Sequence, residues 1–421
     1  MRLELITVGT ELLLGHTIDT NGAELGLGLA QAGIRVTRRT TVADDAGAIR
    51  EAVEGALDRA RAALITGGLG PTADDVTKRV VADLFEMPLE FHPELWEGLL
   101  ARFARFGRVP SERNRSQAEV PRGATVLPNR WGTAPGLWLE NQRGLAILLP
   151  GVPAEMRKLL EHEVLPRLRD RGPGRVVRSR TLRTTGIAES ALAERVGEVD
   201  AALAPLSLAY LPGLEGVDLR LTAWELEAAD AMARLQAGLD LLRASAGEFA
   251  YGLDQEDLAA LVLAEARQRG WRLVTAESCT GGGVGERITR IPGSSDVYLG
   301  GVIAYHNAVK VGELGVRPEL IASEGAVSEP VVRAMAAGAI EGFGADVAVA
   351  VTGIAGPGGG TSDKPVGLVY LASLTRGATR VRRIILPGDR HEIRGRAAQA
   401  ALFLLWQQLV EAPPATESLP I

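Results

Sequence analysis

The 421-residue sequence predicts two α/β domains with mostly parallel sheets, joined by a small α+β module. The chain is longer than one ordinary hydrophobic core supports. At both ends, short apolar or β-branched runs alternate with stretches of helical spacing, which is the rhythm of a parallel sheet with crossover helices. Between them the breaker cluster Arg171-Gly172-Pro173-Gly174 stops a helix and marks a boundary.

The first domain is assigned to 1–171. Leu3 to Val8, Ile34 to Thr40, Ala62 to Thr66 and Leu145 to Leu149 read as strands. Asn21 to Ala32, Ala46 to Arg61, Asp74 to Phe85 and Glu155 to Arg169 read as helices, with Asn21 and Asp74 as N-caps. The module, 175–250, reads as a strand from Val176, a helix Ser190 to Val199, strands Leu206 to Tyr210 and Val217 to Ala223, and a helix Ala228 to Ala246. The second α/β domain, 255–411, places strands at Arg272 to Ala276, Val297 to Tyr305, Asp346 to Thr352, Gly367 to Ser373 and Thr379 to Leu386. Residues 412–421 are Pro-rich, lack periodicity and are expected to be disordered.

Composition narrows the function. With 46 % apolar and 23 % charged residues, and no apolar run of about 18, the chain reads as soluble and globular with no membrane span. Met1 to Val8 carries Glu4 inside its apolar run and reads as a strand rather than a signal peptide. The single cysteine, Cys279, excludes an intrachain disulfide and a cysteine-cluster metal site, so a cytoplasmic location is expected. A net charge of −6 argues against broad nucleic-acid binding and favours a small-molecule or protein partner, with a homodimer as the default assembly. Gly213-Leu214-Glu215-Gly216 has the spacing of the GXXG loop of RNA-binding KH domains, but it joins two strands and carries an acid, so a hairpin turn is expected.

Ser278 stands where the strand Arg272 to Ala276 gives way to Thr280-Gly281-Gly282-Gly283, which opens a helix. Unpaired amides at such a start carry partial positive charge suited to an oxyanion or phosphate, and the glycines admit a close ligand. Candidate bases are Tyr305, His306 and Lys310. A lysine withdrawn from water loses enough basicity to accept a serine proton, and a tyrosine hydroxyl can relay it. The GxSxG signature is absent. Two other readings stand beside this one. In one, Ser278 and Thr280 only cap the helix. In the other, Cys279 is the nucleophile, its pKa lowered by the helix start, with His306 as base. Thr352 to Gly360 and Pro387-Gly388-Asp389-Arg390 each follow a strand, and strand ends converge on ligands. Arg390 offers a fork for phosphate or is simply solvated.

Ala276 to Gly282, the Tyr305 to Lys310 spacing, Gly325 to Pro330, Gly353-Ile354-Ala355-Gly356-Pro357, Lys364 to Gly367 and Pro387 to Arg390 together resemble the competence/damage-inducible CinA family. That resemblance implies a C-terminal nicotinamide-nucleotide amidase, converting nicotinamide mononucleotide (NMN) and water to nicotinate mononucleotide and ammonia. It implies Ser278, Tyr305 and Lys310 as catalytic set. It places Thr280, Gly281, Gly282, Asn307, Gly353, Gly356 and Arg390 at the oxyanion or substrate, and no cofactor in this domain.

In the first domain, the strand Ala62 to Thr66 runs into Gly67-Gly68-Leu69-Gly70-Pro71-Thr72-Ala73-Asp74-Asp75. Glycine amides there suit phosphate, and Asp74 with Asp75 suit a divalent cation; the alternative is a helix capped beside a sharp turn. Val8 to Leu12, Gly15 and Asp19-Thr20-Asn21 resemble the molybdopterin-binding domain shared with CinA, and Asn114, Gln117, Gly132 to Gly136 and Leu149 to Pro153 resemble the CinA version. For this domain the resemblance implies ADP-ribose pyrophosphatase activity with Mg, Mn or Co. Thr10, Asn21, Gly67, Gly68, Gly70 and Thr72 would hold the nucleotide, with Asp74 and Asp75 ahead of Glu11, Asp19 and Asp44 as metal ligands. No Nudix-type Glu-rich helix is present. Other expected roles are an adaptor for RecA or molybdopterin handling.

Overall fold

The computed structural model describes residues 1–169, 175–375 and 377–412. The expected breaker cluster and residues 413–421 of the expected disordered tail lie outside the described residues. The chain divides into two compact units, 1–179 with 222–235 and 180–221 with 236 onward.

The first unit is built on β1 (Arg2–Val8), α1 (Thr20–Gln31), β2 (Arg35–Val42), α2 (Ala46–Ala60), β3 (Ala62–Thr66) and α3 (Thr77–Leu84). A short ribbon pairs β4 (Leu89–Phe91) with β5 (Glu119–Pro121), flanking α4 (Pro93–Arg105). Strands β6 (Thr125–Leu127), β7 (Gly136–Asn141) and β8 (Gly144–Leu149) follow, and α5 (Pro153–Leu159) continues through a π-helical turn, Leu160–Val164, into Leu165–Arg169. The sheet order is β2-β1-β3-β8-β7-β6. Its central strands are buried on both faces. Leu3, Leu5, Leu64 and Ile147 pack with Leu25 and Leu29 of α1 and Met156 of α5, while Ile6, Val8, Ile65 and Leu148 pack with Val53 and Leu57 of α2 and Val81 of α3.

The sheet is less parallel than the sequence predicts. The pairs β2-β1, β1-β3 and β3-β8 are parallel, but β8-β7 and β7-β6 are antiparallel. Only Gln142 and Arg143 separate β7 from β8, far too few residues for a parallel crossover, and neither is a turn-favouring residue that would mark the hairpin. Neither expected N-cap holds. Asp19, not Asn21, caps α1, accepting from Gly22 N at 2.7 Å. Helix α3 begins at Thr77, two residues beyond the position that Asp74 would cap; its N-cap is Val76, which has no side-chain acceptor, and Asp75 turns back to accept from Thr72 N at 2.8 Å.

The middle of the chain forms β9 (Arg175–Thr184), α6 (Glu189–Gly197), β10 (Ser207–Pro212), β11 (Val217–Glu227), α7 (Ala228–Ala246) and β12 (Ala250–Leu253), with sheet order β10-β11-β9-β12. Strand β12 is absent from the sequence reading; four residues beside a long helix give too little alternation to register. Gly213 N donates to Gly216 O at 2.8 Å, so the GXXG segment is the expected hairpin turn. Its acid, Glu215, pairs with Arg183 at 2.8 Å and Arg287 at 3.3 Å.

The rest of the second unit comprises α8 (Leu258–Arg269), β13 (Leu273–Glu277), α9 (Gly283–Thr289), β14 (Tyr298–Ile303), α10 (Asn307–Leu314), α11 (Glu329–Phe343), β15 (Val347–Gly353), β16 (Leu368–Thr375), β17 (Thr379–Ile385) and α12 (Arg390–Glu411). Sheet order is β14-β13-β15-β16-β17. Strands β14, β13 and β15 are parallel, whereas β16 and β17 return antiparallel because the links before each contain no helix to carry a crossover. One face packs on α8 and α12, the other on α11. Among the described residues, no helix is long and apolar enough to cross a membrane.

Gly67 sits at φ 108°, and a Cβ there would stand 2.3 Å from the Val8 carbonyl oxygen. Gly67→Ala is therefore expected to destabilise the first unit by about 2 kcal/mol or more. Urea unfolding checks this, and an unchanged midpoint would contradict the described β3 exit.

Candidate active site

The parallel strands β13, β14 and β15 end together, and their exits build the site. Ser278 follows β13 and is 8 % exposed; Lys310 lies on α10, just beyond β14, and is 1 % exposed. Lys310 Nζ stands 3.1 Å from Ser278 Oγ, 2.8 Å from the Ala304 carbonyl and 3.5 Å from the Tyr305 carbonyl. Burial holds the amine below the ordinary lysine range. The geometry suits either protonation state. As an ammonium it donates to all three oxygens; as a neutral amine it keeps two hydrogens for the carbonyls and aims its lone pair at the serine hydroxyl.

The start of α9 is not an open anion site. Glu277, 2 % exposed, accepts from Val284 N at 3.0 Å and Gly285 N at 2.8 Å, so the helix start faces a carboxylate. Gly281 N donates to Ser278 O at 3.0 Å, which removes that amide from the expected oxyanion set. Gly281 and Gly282 supply φ of 61° and 93° for this tight turn. Arg394 of α12 grips the turn from outside, donating to the Thr280 carbonyl at 2.8 Å.

Ser278, Tyr305, Asn307, Lys310, Gly353, Gly356 and Arg390 line one pocket of about 270 Å³. Tyr305 is 60 % exposed, and its hydroxyl accepts from Arg390 Nη2 at 2.8 Å while Arg390 Nη1 donates to Gly356 O at 2.6 Å. Tyr305 and Arg390 thus form one polar rim, with Tyr305 turned to that rim rather than to Lys310. A Cβ at Gly353 would stand 2.8 Å from the Leu368 carbonyl oxygen and 3.0 Å from Cys279 Sγ. Cys279 lines the same pocket but is buried at 5 % exposure, and its thiol is pushed up to about 12, chiefly by burial, which disfavours the thiolate that a cysteine nucleophile needs. His306 is not its base: its ring nitrogen accepts from Ala308 N at 3.2 Å as the cap of α10.

In the first unit, β1, β3 and β8 end side by side. Asn21 Nδ2 donates to Gly151 O at 2.6 Å, and its buried Oδ1 has no hydrogen-bond partner among the described residues. Thr10 donates to Asp44 through its amide at 2.8 Å and its hydroxyl at 3.0 Å, while Asp19 is occupied as helix cap and by Arg39. Asp75 fills the space a side chain at Gly70 would take, Oδ2 lying 2.5 Å from that Cβ position. No group of three metal-ligating side chains occurs among the described residues. Exposed Asp74 and half-buried Asp75, whose Oδ2 also accepts from Thr72, fit a hard cation that takes its other ligands from water and substrate phosphates. Lys78, unnoticed in the sequence, is held down to about 8 by burial beside the Gly68 to Asp75 turn and donates to the Glu119 carbonyl at 2.8 Å.

Residues 255–409 match the family model described as "CinA C-terminal domain", 179–252 that described as "Damage-inducible protein CinA KH domain", and 4–170 that described as "Probable molybdopterin binding domain". A CinA-like protein of Gemmatimonas aurantiaca is 53 % identical over 406 residues, covering 96 % of this chain and 95 % of its own. The chain belongs to the CinA family. A CinA-like protein of Gloeobacter violaceus is 44 % identical over 411 residues, covering 97 % and 96 %. The solved competence/damage inducible protein CihA of Agrobacterium tumefaciens is 39 % identical, covering 38 % of this chain and 100 % of its own with a TM-score of 0.36.

Within this CinA-family domain, Glu277 and Arg394 are the residues sequence reasoning missed. Glu277 carried a signal, an acid closing an otherwise apolar buried strand. Arg394 lies four residues after Arg390, one helical turn on, so it faces the same side of α12.

Because folding lowers the Lys310 pKa, the unfolded chain binds more protons between the folded value and the ordinary value of about 10.4. Wild-type stability should therefore rise relative to Lys310→Met as pH climbs through that interval. Paired urea melts at neutral and alkaline pH read the difference; a gap independent of pH would show that the amine is not shifted.

Proposed function

We propose that the C-terminal domain is a serine amidohydrolase acting on the carboxamide of NMN. The observation that carries this reading is the buried Lys310 amine 3.1 Å from Ser278 Oγ. Neutral Lys310 takes the Ser278 proton as Oγ attacks the carboxamide carbon. The C–N bond then breaks, Lys310 returns the proton to the departing ammonia, and an ester remains on Ser278. Water attacks that ester, giving its proton to Lys310, and the C–O bond to Ser278 breaks as its oxygen recovers the proton; the product is the acid. Arg390, steadied by Gly356 and Tyr305, supplies a planar fork for the substrate phosphate. We assign Tyr305 to that rim rather than to the proton relay.

For the N-terminal domain we propose hydrolysis of ADP-ribose to AMP and ribose 5-phosphate, with the turn from Gly67 to Thr72 and the side chains of Thr10 and Asn21 holding the nucleotide. Asp74 and Asp75 would hold a divalent metal, which when bound neutralises diphosphate charge and activates water. The match of 4–170 to a molybdopterin-binding model favours a second reading, pterin handling, which co-purified pterin with no AMP formed would support. The competence and damage names of the relatives leave a third reading, a competence or recombination adaptor, which tight RecA binding without ammonia release would support.

The test uses the full chain with each nucleotide, with and without divalent metal. Ammonia release from NMN should need no added metal, fall by about 10³-fold or more in Ser278→Ala, and fall by about 10²- to 10⁴-fold in Lys310→Arg, whose guanidinium stays protonated. Cys279→Ala should keep it. The rate should rise with pH through an inflection below the ordinary lysine range, since only the neutral amine accepts a proton. Full activity in Ser278→Ala would refute the assignment. Metal-dependent AMP formation should fall in Asp75→Asn while ammonia release persists, and equal loss of both would contradict two separate sites.

A further inference from the structure

A second, larger cavity in the same unit shares no lining residue with the Ser278 pocket. Its volume, about 760 Å³, is that of sites for small organic ligands. The hairpin turn Gly213 to Gly216 and the segment Thr185 to Glu189 form one side, and residues of β16, β17 and α12 form the other. The turn is fixed there: Glu215 pairs with Arg287, and Arg287 donates through Nη1 to Gln399 Oε1 on α12.

The lining is apolar with a cationic side. Phe403, 1 % exposed and stacked on Trp406 with ring centroids 5.9 Å apart, backs the cavity together with buried Leu371, while exposed Leu214 and half-buried Ile384 form its accessible apolar side. The Arg382 guanidinium lies 5.9 Å from the Phe403 ring centroid and donates to the neutral Gln407 at 2.8 Å. In this lining two buried donors have no hydrogen-bond partner among the described residues: Gln399 Nε2, in a residue 2 % exposed, and Arg396 Nε. Buried donors of this kind cost free energy unless a ligand or water accepts from them. The acids at the wall are committed or outward. Glu215 is ion-paired, Glu392 accepts from Asp389 N at 2.8 Å with Arg396 3.9 Å away, and Glu189 is exposed.

We propose that this cavity is a second small-molecule site that takes an apolar-bodied organic anion, its body against Leu214 and Ile384 and its acceptor oxygens on Arg396 and Gln399. The inference is independent of the chemistry assigned to Ser278.

Calorimetric titration of the full chain with 1-naphthoate tests it. One saturable site per chain is expected, with the neutral 1-naphthamide weaker by about tenfold because it forfeits charge-assisted hydrogen bonds. Arg396→Met should weaken naphthoate about tenfold, Ala400→Phe should abolish binding by filling the cavity, and Ser278→Ala should leave it unchanged. The two cavity variants alter different properties, so unfolding of either leaves the other to decide. Absence of saturable binding, equal affinity for the two probes, or binding that survives in a folded Ala400→Phe would overturn the proposal.

Discussion

A primary amine enclosed by protein must find acceptors for its hydrogens, and Lys310 finds them at the joint of β14 and α10. The Ala304 carbonyl, released where the strand ends, takes one at 2.8 Å; Ser278 Oγ completes the shell at 3.1 Å. That requirement ties two parallel strand exits together, because the amine reaches its partner only if β13 and β14 stop in register. Their pairing of Glu277 with Ile303 puts both ends at one level. An arginine at 310 would keep its charge and demand a fork of acceptors, whereas a lysine can shed the proton that burial penalises.

The turn carrying Ser278 is held from two sides by groups that do not touch its hydroxyl. From within, the Glu277 carboxylate takes the first free amides of α9. From outside, Arg394 holds the Thr280 carbonyl. Both partners are charged, and charge-assisted hydrogen bonds of this type are the stronger class. The consequence for chemistry is direct. A helix start already satisfied by a carboxylate repels a second anion, so this turn suits a nucleophile better than a phosphate cradle. The first unit solves a different problem at its own strand exit: glycines at 67 and 68 with φ of 108° and 67° let the chain turn in close contact with Val8 and Thr77, and Asp75 folds back to brace the turn.

The elements legible in the sequence were those whose burial leaves a continuous apolar run, such as Ala62 to Thr66, where every residue is buried and the observed strand has the expected bounds. The hairpin of β7 and β8 was harder to read because its turn residues, Asn141 and Gly144, sit at the strand ends and leave only Gln142-Arg143 in the loop itself. The N-cap of α1 was legible in type but not in position: Asp19 and Asn21 are both good caps, and only the chain path shows that Asn21 reaches across to Gly151 instead. The pairing of Ser278 with Lys310 was legible from strand-end logic, while the direction of Tyr305 was not. Its hydroxyl partner, Arg390, lies 85 residues downstream, and no local pattern encodes which neighbour an exposed ring selects. Cys279 shows the same limit at one residue's distance, since adjacency to Ser278 says nothing about which of the two side chains turns into the core.

Helix α12 makes the division of labour in the second unit geometric. At about 100° per residue, Arg390 and Arg394 fall within about 40° of each other around the axis, whereas Arg396, Gln399 and Phe403 fall roughly 180° to 240° from Arg390. One stripe serves the Ser278 turn and its rim, and the opposite stripe walls the larger cavity. A 22-residue helix buried along much of its length is stiff enough to keep both stripes in fixed phase. Its N-terminal turn is locked by the reciprocal cap of Asp389 and Glu392, which also sets the rotation of Arg390. The same capping box therefore fixes where the guanidinium meets Tyr305 and, six residues on, where Arg396 meets the cavity.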